Sequence, residues 1–175
     1  MKATGVVRRI DELGRVVIPK EIRRTLKIKT GTPLEIFCGD SGELIFKKYS
    51  PIVELGKIAS EVAQSAFFGT QKNVFVTNME GIIASAGMGA STYLGKSIDS
   101  QIEKNINDRQ AKIVNCAGKQ PLIFDSNISS FAISPILNAG DVYGAVIIFD
   151  SHSMAQESDL KVAKSFADFL SKQIG

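Results

Sequence analysis

The first fifty residues of this 175-residue chain combine a strong positive charge with elements too short to enclose a core. We call residues 1–50 the head and residues 51–175 the body. The head holds five of the six arginines, and its eleven Lys/Arg against six Asp/Glu give a net charge of +5. The body has the remaining ten Lys/Arg against twelve Asp/Glu, a net charge of −2. Because even a 60-residue domain buries only about 60% of its unfolded surface, the head is too small to fold stably as one chain.

The pattern of the head predicts two hairpins around one short helix. Pro19 suits a helix start, and the spacing predicts a helix over 20–28 that stops before Gly31. The predicted strands are 4–10, 15–18, 34–38 and 43–49. Four short strands leave open sheet edges, which a second copy would cover. We therefore expect an obligate homodimer through the head, with strands exchanged between the chains.

Five arginines within seventeen positions give the head the charge pattern of a DNA-binding module. They are Arg8, Arg9, Arg15, Arg23 and Arg24, and the helical spacing places the last two on the outer side of the short helix. In a dimer they become ten, enough for several phosphate contacts on a duplex. The alternative is that they are solvated surface arginines, paired with Asp11, Glu12 and Glu21. So many arginines in one segment exceed what solubility requires, and double-stranded DNA is the expected partner.

A family resemblance supports this interpretation. Residues 1–19, continuing through 21–26 and extending to 47–49, closely resemble the DNA-binding domain of the AbrB-type transition-state regulators. The resemblance implies that the head is a swapped-hairpin β-barrel formed by dimerisation. It also implies that Arg8, Arg9, Arg15, Arg23 and Arg24 contact DNA.

The sequence of the body predicts, in order, a helix, two strands, a helix, three strands and a helix. The predicted helices are 51–68, 96–108 and 154–174, and the predicted strands are 73–77, 82–86, 112–116, 128–137 and 142–149. Ser153 and Gln156 form a candidate capping box for the last helix. This order predicts an α+β fold in which an antiparallel sheet is flanked by helices. Head and body together resemble sporulation regulators whose second domain is GAF-like, which implies action in the cytoplasm of the forespore.

Residues for catalysis or metal binding are sparse. His152 is the single histidine, and Cys38 and Cys116 lie far apart without CxxC spacing. Gly95-Lys96-Ser97 resembles the end of a phosphate-binding loop, but that motif needs a glycine where the chain has Ala90. No apolar run approaches the ~20 residues that span a bilayer. We expect a non-enzymatic cytoplasmic protein without a metal or cofactor.

Two regulatory roles remain open for the body. It could bind a small-molecule effector that alters DNA affinity, because GAF-like sheets often enclose a pocket. Candidate pocket residues, which could equally be plain core, are Phe75, Ile83, Phe131, Ile133, Ile148 and Phe149. Alternatively, helices 51–68 and 154–174 could join two dimers into a homotetramer and raise avidity for DNA.

The sequence thus predicts a sequence-selective DNA-binding transcriptional regulator, active as a dimer or tetramer, and the resemblance implies that it acts on sporulation genes. The alternative is the antitoxin of a toxin–antitoxin pair, since AbrB-like folds occur there too. Such antitoxins usually bind the toxin through a disordered acidic tail. The patterned body of this chain counts against that alternative.

Overall fold

Two units make up the chain, Met1–Tyr49 and Ser50–Gly175. The computed structural model describes residues 5–49, 52, 55–116, 121, 123–124 and 128–174. In the first unit, helix α1 spans Lys20–Thr25, and strands β1, Leu34–Cys38, and β2, Leu44–Lys48, form an antiparallel hairpin. This hairpin confirms the prediction for the second half of the head.

The first half of the head differs from the prediction. Segments 5–10 and 15–18 are exposed for most of their length and form no strand within the single chain. Hydrogen bonds close only the turn between them: the Asp11 amide donates to the Arg15 carbonyl at 3.0 Å, and the Gly14 amide donates to the Asp11 carbonyl at 2.9 Å. The physical reason is that a strand needs a paired ladder and an apolar surface to pack on. Within one chain these segments have neither.

Helix α1 is shorter than predicted because Lys27 ends it. Lys27 adopts the left-handed conformation, with φ 51°. Its amide donates to the Arg24 carbonyl at 3.2 Å, and the Ile28 amide donates to the Arg23 carbonyl at 2.7 Å. This is the Schellman arrangement, which usually places glycine where Lys27 stands. The prediction that the helix continues to residue 28 is therefore wrong.

The body contains a five-stranded antiparallel sheet in the order β4-β3-β7-β6-β5. The strands are β3, Asn73–Thr77; β4, Ile82–Ala86; β5, Lys112–Asn115; β6, Ser130–Asn138; and β7, Asp141–Phe149. All five lie within two residues of their predicted bounds. The α+β prediction of an antiparallel sheet with flanking helices is confirmed.

Helices cover both faces of this sheet. They are α2, Gly56–Thr70; α3, Ser100–Asn107; and α4, Glu157–Gln173, with a short 3-10 helix at Ala90–Tyr93. Helices α2 and α4 pack small side chains such as Ala63 and Ala167 against Val146 and Ile148 on one face. Ile102 and Ile106 of α3 belong to the core on the other face. Of the predicted first helix, positions 51, 53 and 54 lie outside the described residues, and its end is at Thr70 rather than 68.

Two helix starts differ from the predictions because other residues provide the caps. The Asp99 carboxylate accepts from the Gln101 and Ile102 amides at 3.0 and 2.9 Å, so α3 begins after it instead of at residue 96. Helix α4 is opened by a capping box of Gln156 and Asp159. The hydroxyl of Ser153 instead donates to the Asp150 carboxylate at 2.6 Å. The predicted Ser153–Gln156 box is therefore wrong.

Asp159 also joins the start of α4 to the segment after α2. Its Oδ2 lies 2.7 Å from Lys72 Nζ, and the two side chains are only 5% and 14% exposed. Lys72 Nζ also donates to the Met154 carbonyl at 3.2 Å. Removing one member of a buried ion pair leaves the other charge uncompensated.

We expect Asp159→Ala to lower the free energy of unfolding by about 3 kcal/mol, because it removes both the ion pair and the cap. Urea denaturation followed by circular dichroism measures this loss. The matched control is Asp168→Ala, which removes an exposed carboxylate from the same helix. Equal losses in the two variants would contradict a structural role for the buried pair.

Candidate nucleic-acid interface

Three of the five head arginines have exposed side chains without polar partners among the described residues. Arg8 and Arg9 lie on the exposed segment 5–10, and Arg24 lies on the exposed side of α1. Among the residues that the structure describes, none of their side chains takes part in a hydrogen bond or an ion pair. Their guanidinium groups are therefore available to an external anion.

Arg15 is held by the turn that precedes it. Asp11 Oδ1 accepts from the amides of Leu13 at 3.0 Å and Arg15 at 2.8 Å, and Asp11 Oδ2 accepts from Arg15 Nε at 2.8 Å. Gly14 supplies the positive φ of 73° that the turn requires. One carboxylate thus fixes both the backbone and the guanidinium of Arg15, whose side chain remains 70% exposed.

The contact with Arg15 changes the acid–base behaviour of Asp11. Hydrogen bonds from the Arg15 backbone and side chain lower the pKa of the Asp11 carboxyl below its ordinary value of 3.8. Since the folded pKa is lowered, the stabilisation of the turn is complete above that ordinary value. It is lost as the pH falls through the folded pKa. At neutral pH the Asp11 carboxyl is therefore ionised and accepts these hydrogen bonds.

Arg23 occupies a different environment from its neighbour Arg24. The sequence predicts both on the outer side of α1, but Arg23 is half-buried and its Nε donates to the Ile18 carbonyl at 3.2 Å. This bond crosses from the helix to the segment before it, over Pro19. The structure therefore separates Arg15 and Arg23, each bonded through Nε, from the three unbonded arginines. Sequence reasoning missed this distinction.

The apolar side chains of the head are exposed to an unusual extent. None of its described residues, 5–49, is fully buried. Val7 is 87% exposed and Val17 is 72% exposed. The exposed large apolar side chains of the head are Val6, Val7, Ile10, Leu13, Val16, Val17, Leu26, Ile36, Phe37, Leu44, Phe46 and Tyr49. A surface of this kind marks an interaction site, because the head alone buries too little to be stable.

The six residues that the sequence predicted as a pocket lining lie on two different faces of the sheet. Phe75, Phe131, Ile133 and Phe149 lie in the core on the α3 face of the sheet, whereas Ile148 lies on the opposite face. The sixth, Ile83, packs with Ile148. Alternation along each strand causes this split. The six residues therefore cannot line one cavity.

Aromatic rings fill the α3 face of the sheet. The ring of Phe149 lies 4.8 Å from that of Phe75 and 4.6 Å from that of Phe124, measured between centroids. Phe124 also contacts Phe131 at 5.4 Å. Among the described residues, these rings pack against one another at the distances typical of a close-packed core.

A shallow cleft of about 360 Å³ lies elsewhere, between β6 and α4. Its lining includes Arg109, Ser134, Lys164 and Asp168. Of the single-residue candidates, His152 is exposed, and burial raises the pKa of the Cys116 thiol. Within the described ranges, no group of three or more His, Cys, Asp or Glu side chains could hold a metal ion.

Of the helices that the structure describes, none combines the length and apolar character needed to cross a bilayer.

Family models match both parts of the chain. Residues 54–175 match the model described as "Stage V sporulation protein T C-terminal, transcription factor". Residues 7–53 match the model described as "Antidote-toxin recognition MazE, bacterial antitoxin". Between them the two models account for nearly the whole sequence.

Relatives from Bacillus subtilis strain 168 match either the whole chain or the head alone. Stage V sporulation protein T is 43% identical over 176 residues, covering 99% of each chain. The transition state regulatory protein AbrB is 59% identical over 51 residues, which are 29% of this chain and 52% of AbrB. The first match spans head and body, and the second shows that the head is an AbrB-like domain.

The fold of the body is that of a GAF domain. The GAF domain of a phosphoenolpyruvate-protein phosphotransferase from Acinetobacter superimposes with a TM-score of 0.58 at 12% identity. The match covers 69% of this chain and 81% of that domain. At this identity the similarity establishes the fold alone, and the GAF-like prediction is confirmed.

Proposed function

The chain belongs to the stage V sporulation protein T family of transcription factors, and we propose that its head binds duplex DNA as a dimer through five arginines of each chain. As a family member it is a transcription regulator of sporulation. We assign DNA binding and dimerisation to residues 1–50 and regulation and assembly to residues 51–175. The forespore cytoplasm is the proposed site of action. The exposed arginines of the head are the observation that carries this proposal.

Charge and exposure support the assignment of the DNA-binding residues. Arg8, Arg9 and Arg24 are exposed and form no side-chain hydrogen bond or ion pair with the described residues. Arg15 and Arg23 each engage Nε within the head, and the Arg15 side chain is still 70% exposed. Proteins that neutralise several phosphates in this way bind DNA with a steep dependence on salt. Arginine also forms the bidentate bonds that phosphates and guanine accept.

The apolar surface of the head supports dimerisation. A second head would cover the valines on 5–10 and 15–18. It would also supply hydrogen-bonding partners for the backbone of these two segments. Assembly could continue through the body, where Phe68 on α2 and Phe169 on α4 are exposed. Two dimers joined there would form a homotetramer with higher avidity for neighbouring DNA sites.

We place regulation in assembly rather than in a small-molecule effector on the α3 face of the sheet. Phe75, Phe124 and Phe149 already fill that face. An effector could act only by binding two assembly states with different affinity. The structure offers packed rings at the place where the sequence suggested such a pocket.

The antitoxin alternative draws on the second family model, which matches the head. Against it stands the folded body, which includes a five-stranded sheet and three helices among the described residues. The match to stage V sporulation protein T also covers 99% of the chain, not the head alone. Co-purification of a toxin from the native host, with no enrichment of DNA fragments, would favour the antitoxin function.

Replacing Arg15 or Arg23 with alanine should weaken binding to a selected duplex by about 1–3 kcal/mol at 100 mM salt. The reason is that each variant removes a cation and its bidentate hydrogen bonds from the interface. Fluorescence anisotropy with a labelled duplex, selected from a genomic library by the unsubstituted protein, measures the loss.

The matched control is Arg109→Ala, which removes the sixth arginine from the body. It should leave affinity unchanged, and circular dichroism should show all three variants folded. If Arg109→Ala weakened binding as much as the head variants, the assignment of the interface to the head would be wrong.

A further inference from the structure

We propose that Arg15 and Arg23 read base edges, whereas Arg8, Arg9 and Arg24 contact phosphates. This division rests on the proposed DNA-binding function. It goes further because it assigns sequence discrimination to two of the five arginines and general affinity to the other three. The observation behind it is that Arg15 and Arg23 alone among the five donate a described hydrogen bond within the head, each through Nε.

The geometry of a guanidinium explains why this bond matters. The group is planar, with five N–H donors in a fixed fork. Arg15 Nε donates to Asp11 Oδ2 at 2.8 Å, and Arg23 Nε donates to the Ile18 carbonyl at 3.2 Å. Once Nε is engaged, the donors of Nη1 and Nη2 remain side by side for a ligand. This pair of donors matches the O6 and N7 acceptors of guanine, the commonest specific contact of arginine with DNA.

Orientation before binding is what sequence discrimination needs. A fixed fork accepts a base in one register, and a shifted register leaves its donors unpaired. Arg8, Arg9 and Arg24 form no such bond with the described residues, so their side chains keep their rotamer freedom. A mobile cation follows the phosphate backbone at any register, which raises affinity without selecting a sequence.

Asp11 is the positioning residue for Arg15. It binds the Arg15 amide, carbonyl and Nε, so it fixes the backbone and the side chain together. Its negative charge also opposes phosphate groups that approach the turn. A wrong duplex would meet this repulsion without gaining the base contact, which increases discrimination.

A series of charge-conserving Arg→Lys variants tests the division in the full chain. Lysine keeps the positive charge but lacks the bidentate fork. The probes are one duplex selected from a random library by the unsubstituted protein and one scrambled duplex of equal length and composition. The readout is the ratio of the two affinities, measured over a series of salt concentrations.

Arg15→Lys and Arg23→Lys should each lower this ratio about ten- to a hundredfold while leaving the affinity for the scrambled duplex nearly unchanged. Arg8→Lys, Arg9→Lys and Arg24→Lys should keep the ratio within about threefold. The division is wrong if lysine at position 9 or 24 lowers the ratio as much as lysine at position 15. If Arg23→Lys proves misfolded by circular dichroism, Arg15→Lys decides alone.

Asp11→Asn and Glu12→Gln form a matched pair, since each removes one exposed carboxylate charge from the same turn. Among the described residues, Asp11 and not Glu12 is the carboxylate that binds Arg15. Asp11→Asn should strengthen binding to the scrambled duplex and lower the ratio, whereas Glu12→Gln should change both affinities in proportion. Equal ratios in the two variants would show that Asp11 acts by charge alone. Failure of the unsubstituted protein to bind either duplex at low salt would instead refute the proposed function itself.

Discussion

Gly144→Ala is expected to prevent the body from folding. Gly144 lies in β7 with φ 155°, and a Cβ atom added there would be 1.8 Å from the Thr77 carbonyl oxygen. The backbone of β7 fixes the position of this Cβ atom, and the backbone of β3 fixes the Thr77 oxygen. Neither atom can move without disrupting the pairing of the two strands. The sheet is already irregular here: Gly144 pairs with Ile136, and the next pair joins Leu137 to Val142. The close approach of the Thr77 carbonyl beside this bulge therefore requires a residue without a side chain.

We expect the cost of Gly144→Ala to exceed about 4 kcal/mol, the range of severe core disruption. Urea denaturation, or loss of the protein from the soluble fraction, reports it. The matched control is Gly140→Ala. Gly140 also has a positive φ, 86°, but a methyl group added there would meet nothing within 4 Å. The control should cost only about 1–2 kcal/mol of conformational strain. Equal costs would mean that the close approach to Thr77 is not what requires glycine.

Val17→Asn is expected to separate the head dimer and to abolish DNA binding at micromolar protein. Val17 is 72% exposed in the single chain. Burying a valine at an interface contributes about 1.5–3 kcal/mol, and a two-fold symmetric dimer contains the residue twice. A loss of about 3–6 kcal/mol raises the dissociation constant more than a hundredfold. Asparagine adds no charge, so the loss cannot arise from repulsion of DNA.

Sedimentation velocity and fluorescence anisotropy test this expectation on the same samples. Met88→Asn is the control, because Met88 of the body is 84% exposed and lies outside the proposed head interface. The control should sediment and bind DNA like the unsubstituted protein. A Val17→Asn variant that still sedimented as a dimer and bound DNA would place the interface elsewhere.

The fold of the body could be predicted because its signals are local. Short apolar runs between turns, such as 74–76 in β3, placed all five strands within two residues of their observed bounds. The helix ends were harder, because they depend on contacts that sequence spacing does not show. Asp159 caps α4 and binds Lys72, 87 residues away in sequence, so Ser153 appeared to be the better cap.

The candidate interface could be predicted in composition but not in geometry. The charge pattern of the head indicated that its five arginines bind DNA. The helical periodicity placed Arg23 and Arg24 together on the outer side of α1. The structure separates them because the Ile18 carbonyl reaches Arg23 Nε at 3.2 Å. Every residue has a main-chain carbonyl, so a sequence pattern does not show which carbonyl will accept a hydrogen bond from a side chain. The predicted strands 4–10 and 15–18 were wrong for a related reason, since the described residues of one chain, 5–49, supply no paired ladder for these segments.

The decisive measurement of whether an assembled head binds DNA by charge is sedimentation of the full chain with a labelled duplex, repeated between 50 and 200 mM salt. We expect a dimer or tetramer of the protein on the DNA at every salt concentration. With six to ten phosphates neutralised, affinity should fall about 10³- to 10⁵-fold across this range. A protein that sediments as a monomer, or whose affinity for DNA does not change with salt, would contradict this expectation.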